Sequence, residues 1–234
     1  MTVLKKERKI MQKEEIQGFT EAVDVSTISE EMLDNMIGML MLDPIAYKNF
    51  AKQIAKMPFL IKDACYWSKF HLFVTGVKSA EKELGEGVKL SNKLFNTSKN
   101  KRQNGMRLLG YIDKADSEQK INYYVNATKS LLLGLIDNTD YFRIMKALME
   151  TLNEDLEYLA DIAIKEDVYR GNMQLLALER SGLVLQAVFD ANESVENQSY
   201  VISSLGKYVD RFAVSFEDEE RQKFYKMSCG EIDE

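Results

Sequence analysis

No proline follows Pro58, so the last three quarters of this chain lack the residue that most reliably breaks a helix. Pro44 and Pro58 are the only prolines in 234 residues. Long helices joined by short polar turns are the architecture this predicts. The length admits one large or two small domains, and 45% apolar with 29% charged residues is the balance of a globular chain with a core. The longest apolar runs, around Leu131–Ile136, are far too short to cross a bilayer, so no membrane role is expected. Cys65 and Cys229 sit in unlike contexts and read as free thiols, which points to a cytoplasmic protein.

Taken in order, residues 1–28 are a mixed-charge arm, frayed helix or disorder, with Lys5, Lys6, Arg8 and Lys9 around Glu7. Ser29 is a helix start followed by Glu30 and Glu31, which suit the positive end of a helix dipole. Met32, Met36, Met39 and Leu40 then make a helix apolar on nearly every face. Such a helix must be covered, either by the rest of the fold or by a protein partner or second copy, for which these four are the candidate face. Asp43-Pro44 ends it and opens the next helix, Ile45–Lys56. Beyond Pro58, Leu60, Ala64, Trp67, Phe70, His71 and Val74 fall on one helical stripe, read as core. His71 is the only histidine, which leaves it without a ligand set and gives it a structural role.

Charge is unevenly spread over the net −6. Gly87–Ile112 contains no acidic residue, while Lys89, Lys93, Lys99, Lys101, Arg102 and Arg107 supply six positive charges. These six are the candidate anion or nucleic-acid patch; a solvated helix face is the plainer reading. Gly85-Glu86-Gly87 makes no phosphate loop, since no lysine–serine pair follows at the required spacing.

An internal echo comes next: Leu108–Asp116 and Leu132–Asp140 share six of nine residues. Each copy is expected to end a helix and restart the chain, with Asp116 and Thr139 as N-caps, giving antiparallel neighbours in a bundle. A helix over Ser117–Ile136 would bury Ile121, Val125, Thr128, Leu132 and Leu135, and one long helix over Asp140–Ile164 follows. Glu154, Asp155, Glu157 and Asp161 near its end read as a solvated acidic face, because no helical Glu-x-x-His partner exists for a metal site.

From Asp155 to Phe216 the pattern changes. Met173, Leu175, Leu176 and Leu178 outline a short helix, and Gly182 stands where a helix terminator needs positive φ. Leu183–Phe189 is β-rich, Asp190–Gln198 has loop composition, Ser199–Ile202 is a returning strand, and Ser203 or Ser204 caps a last helix. This order of helix, glycine, hairpin and closing helix resembles the second half of a winged-helix domain. The resemblance implies a helix before the hairpin that enters the DNA major groove, contacted through Arg170, Gln174 and Arg180. The candidate wing carries Asp190, Glu193 and Glu196 and no cation, so a phosphate backbone would be repelled.

The fold expected is therefore mainly α: a multi-helix bundle over 29–154, a small winged-helix-like α+β module with one hairpin over 155–216, its first helix continuous with the bundle, and an acidic tail over 217–234. No catalytic set, cofactor motif or metal-ligand spacing appears. The expected function is regulatory, by binding protein partners or a second copy; DNA-binding transcriptional regulation through the 89–107 stretch is the alternative.

Overall fold

The computed structural model describes residues 30–56, 64–85, 87–165, 167–188 and 198–228. The N-terminal arm, the wing acids Asp190, Glu193 and Glu196, Leu60, Cys229 and the side chain of Cys65 lie outside the described residues. Among those described, eleven helices surround one continuous core, with a small three-stranded sheet near the C-terminus.

Helices α1 (Glu30–Leu40) and α2 (Pro44–Lys56) form a hairpin. Met32, Met36, Met39 and Leu40 are between 1% and 9% exposed, buried by this chain itself. In this conformation these four side chains present little surface to a partner or a second copy. The cause is close packing on two sides: a Cβ at Gly38 would lie 2.4 Å from the Ala46 Cβ, and one at Gly105 would lie 2.6 Å from Cγ1 of Ile37.

Helix α3 (Ala64–Leu84) lies between α5 (Ser98–Lys114) and α6 (Glu118–Leu132), with the short α4 (Leu90–Leu94) between α3 and α5 in sequence. Its buried side carries Tyr66, Phe70, Phe73, Val74, Val77 and Ala80, so Phe70 and Val74 of the expected stripe are buried while the buried side extends toward Tyr66 and Phe73. Trp67 is half-buried and His71 exposed. Two flanking helices select the side of an aromatic-rich helix that is covered, and composition alone does not.

The echo is not a structural repeat. Its first copy ends α5 at Lys114, with Gly110 inside the helix; its second ends α6 at Leu132, with Gly134 at φ +75°. There the Gly134 and Leu135 N–H groups donate to Leu131 and Ser130 carbonyls, a Schellman closure that leaves Leu135 53% exposed instead of buried. The N-caps also differ from those expected. Ser117 accepts from the Lys120 N–H and Asp137 from those of Thr139 and Asp140.

Asp116 is instead engaged by the Lys120 ammonium at 2.7 Å. That ammonium, in a residue 1% exposed, also donates to the Thr151 carbonyl at 2.7 Å. The helix expected over Asp140–Ile164 is consequently two, α7 (Asn138–Glu150) and α8 (Asn153–Ala163). Lys120 and the Thr151 hydroxyl, which donates to the Ala147 carbonyl, satisfy the groups that the break at Thr151-Leu152 frees. In α8, Asp155 is buried, while Glu154, Glu157 and Asp161 are exposed. Burial first, then Glu154 beside it, raises the Asp155 pKa.

The remaining elements are β1 (Tyr169–Arg170), α9 (Met173–Arg180), β2 (Val184–Val188), β3 (Ser199–Ile202), α10 (Ser204–Val209) and α11 (Glu219–Ser228). The sheet is antiparallel in the order β1-β3-β2, so the expected hairpin gains a third strand. α10 widens into a π-turn over Asp210–Val214, and α11 occupies most of the segment expected to be a charged tail.

Candidate functional site

The C-terminal sheet and the helix α9 beside it leave Val168, Met173 and Leu185 uncovered. Helix α9 is built as its sequence dictates. Asn172 caps it by accepting from the Leu175 N–H at 2.8 Å, and Leu175 and Leu178 are fully buried. Gly182 ends it at φ +76°, where the Leu183 N–H donates to the Leu178 carbonyl at 2.8 Å. Ser203 ties this corner to α10, donating to the Gly182 carbonyl and accepting from the Gly206 N–H.

Strand alternation then sorts two faces. Val184 and Tyr200 are fully buried, and the Tyr169 hydroxyl donates to the Ile162 carbonyl, fixing β1 on α8. On the opposite face Leu185 pairs with Val201, and the Tyr169–Tyr200 register, continued one residue before β1, sets Val168 opposite Val201 on its other side. Val168 is 63% and Leu185 53% exposed, with Val201 half-buried between them. With strands about 5 Å apart, these three form an apolar row roughly 10 Å long across the solvent face. Met173, at the start of α9, is 79% exposed. β2 is an edge strand whose sequence, Val-Leu-Gln-Ala-Val, has no charge or proline to discourage pairing.

The row was not anticipated from the sequence. Val168 stands in a polar break that reads as loop, and the partial alternation of 183–189 does not say which parity faces inward. The buried Tyr200 opposite Gln186 fixes it.

Of the module residues expected to contact DNA, Arg170 and Arg180 are exposed and Gln174 is half-buried. Arg170 precedes α9 on the sheet, while Arg180 closes the far end of that eight-residue helix. The basic stretch is likewise dispersed. Lys89 and Lys93 belong to α4 and its N-cap, and the other four sit on α5. At about 100° per residue, Lys99, Lys101, Arg102 and Arg107 fan around that helix and do not form one stripe. Arg102 pairs with Glu30 at 3.0 Å, and the Arg107 guanidinium lies 3.8 Å above the Phe142 ring.

A second polar cluster is internal. Asp210, fully buried, accepts from the hydroxyls of Ser215 and Tyr225, with Arg221 Nη1 3.7 Å away. Burial raises the Asp210 pKa, opposed by those two hydroxyls and Arg221; Asp218 adds to the rise. Arg221 also donates to the Ala160 carbonyl, and Asn126 and Ser130 donate to the carbonyls of Ala213 and Phe212. This cluster is a brace joining α6, α8, the π-turn and α11, closed on its outer side by Arg221, which also pairs with the exposed Asp161 at 3.5 Å and Asp218 at 3.3 Å. Among the described residues no group of three or more His, Cys, Asp or Glu is placed to hold a metal ion, and no helix is long and apolar enough to cross a membrane.

No protein-family model, curated protein or solved structure matches the chain.

Proposed function

We propose that the protein acts by binding protein partners and not by catalysis, and that the outer face of its C-terminal sheet is the contact. The observation that carries this reading is the exposed row Val168–Val201–Leu185 beside an uncharged edge strand. Solvent-facing sheet positions are ordinarily polar, and a contiguous apolar set there marks a surface that is covered in use. The module is read as winged-helix-like, used for docking. The helix–glycine–hairpin–helix order and the β1-β3-β2 sheet support that reading, with one helix between β1 and β2.

The test is a double substitution, Val168→Asp with Leu185→Asp. Light scattering on the purified protein, and quantitative comparison of proteins co-purified with wild type and variant, should both change while the circular dichroism spectrum does not. An unchanged oligomeric state together with an unchanged set of co-purified proteins sinks the reading.

Nucleic-acid binding is the second reading, supported by one observation. Among the described residues no ion pair reaches Lys89, Lys93, Lys99 or Lys101. Duplex DNA would be retained at low salt and released steeply as salt rises. Absence of retention at low salt removes this reading.

A further inference from the structure

A groove of about 380 Å³ lies where α3 and α6 end and the chain passes into α11. Ala80, Leu84, Leu133 and Phe216 form its apolar part, and Leu133 is 48% exposed on its lip. Glu83, Glu217 and Glu219, all exposed, stand around it with Lys129. Lys129 is committed to Glu217 at 2.8 Å, so the rim keeps an excess of negative charge.

The backbone adds to that charge. α3 ends at Leu84 and α6 at Leu132, so two helix C-termini reach the same groove. Each contributes the partial negative charge of its last carbonyls, and the effect is largest within the final turn. Two contributions oppose this. Lys82, exposed in the last turn of α3, offsets that helix's end, while the positive N-terminus of α11 is answered by Asp218, which accepts from the Arg221 N–H, and by Glu219 and Glu220. The groove is thus apolar in its floor and electronegative in its rim, where Glu83, Glu217 and Glu219 stand, and at the end of α6.

We propose that this groove binds a short cationic segment of a protein partner, one that seats an aliphatic side chain against Leu84, Leu133 and Phe216 and places flanking lysine or arginine side chains by Glu83 and Glu219. Charge complementarity selects this occupant: an acidic segment or a nucleic-acid phosphate would be repelled by the same carboxylates, and a bare cation would leave the floor uncovered. The volume lies at the small end of ligand-site sizes, which suits one anchoring side chain and not a folded domain. The site is separate from the sheet face described above, so either can fail without the other.

The test uses the full chain and a fluorescein-labelled peptide, Arg-Leu-Lys-Leu-Arg-Lys, followed by anisotropy. Saturable binding is expected, weakened at least about tenfold when serine replaces both leucines of the peptide, and abolished when glutamate replaces its cations. Leu133→Asp should weaken binding through loss of the floor, and Glu83→Lys with Glu219→Lys through reversal of the rim, each by about tenfold or more. Both substitutions are at exposed or half-exposed positions, and unchanged circular dichroism shows that the variants fold. Should Leu133→Asp disturb folding, Glu83→Lys alone decides the case. Ile45→Lys, at an exposed position on α2, should leave affinity unchanged. Absence of saturable binding, equal binding of the serine peptide, or indifference to the rim reversal overturns the proposal, and so does loss of binding in Ile45→Lys.

Discussion

A Cβ added to Gly206 would stand 2.1 Å from the carbonyl oxygen of Leu183. That carbonyl already accepts from the Ser203 N–H, so it cannot turn away without losing a buried hydrogen bond. Helix α10 is thereby held on the start of β2 by backbone contact. Gly206→Ala forces helix and strand apart, and we expect a loss of about 2–4 kcal/mol in chemical denaturation, the scale of overpacking with backbone displacement. Loss below about 0.5 kcal/mol would show that α10 slides freely on the sheet.

Gly110 and Gly134 occupy the same place in the internal echo and should respond in opposite directions. Gly110 lies inside α5 with nothing within 4 Å of a Cβ, so Gly110→Ala should stabilise by about 0.5–1 kcal/mol. Gly134 also has open space, but its φ of +75° opposes any L side chain, and Gly134→Ala should cost about 1 kcal/mol. Paired thermal melts read both signs at once, and equal responses would mean the echo is a structural repeat after all.

That contrast shows why some of this fold was legible in the sequence and some was not. Helix content followed from the missing prolines, and the positive φ of Gly182 followed from its position after the helix outlined by Met173, Leu175, Leu176 and Leu178. Local patterns suffice where a local group decides. The break at Thr151-Leu152 depends on Lys120, some thirty residues earlier in the chain, delivering a buried ammonium. The true caps Ser117 and Asp137 differ from their neighbours Asp116 and Thr139 only in which side chain meets the free N–H groups. The apolar row on the sheet depends on strand register, and the helix-end groove on two helices stopping at one place. These are relations between distant residues, and no spacing within one segment announces them.

The brace at Asp210 makes a pH prediction. Its folded pKa is raised, chiefly by burial, so between the ordinary carboxylate range and that raised value the folded state holds a proton that the unfolded chain has released. With more protons bound in the folded state, stability falls as pH rises through this window. The Asp210 contribution is therefore complete in acid, below about pH 4, and is lost on approach to its raised value. Asp210→Asn removes this titration. Denaturation midpoints measured from pH 4 to 7 should fall less steeply with rising pH, or climb more, in the variant than in wild type. Parallel profiles would show that Asp210 titrates normally, contrary to its burial among Ser215, Tyr225 and Arg221.

Lys120 offers the sharpest test of how the helical layer is joined. Its ammonium, in a residue 1% exposed, donates to Asp116, on the turn before α6, and to the Thr151 carbonyl between α7 and α8. Asp116 is 44% exposed at its side chain, so water can replace the lysine there, and that half of the interaction is worth little. The Thr151 carbonyl is different, because its partner would be lost in a buried place. Lys120→Met keeps the length and the apolar stem but removes the donor. We expect about 1–3 kcal/mol of destabilisation, the scale of leaving a buried acceptor unsatisfied. Hydrogen exchange should report it locally, with protection falling first at the N–H groups of Leu156 and its neighbours in the opening turn of α8, since Leu152 lies at the break that Lys120 holds. Uniform loss across all helices would instead place Lys120 in the global core, and unchanged stability would mean that the break at Thr151 is set by its own hydroxyl.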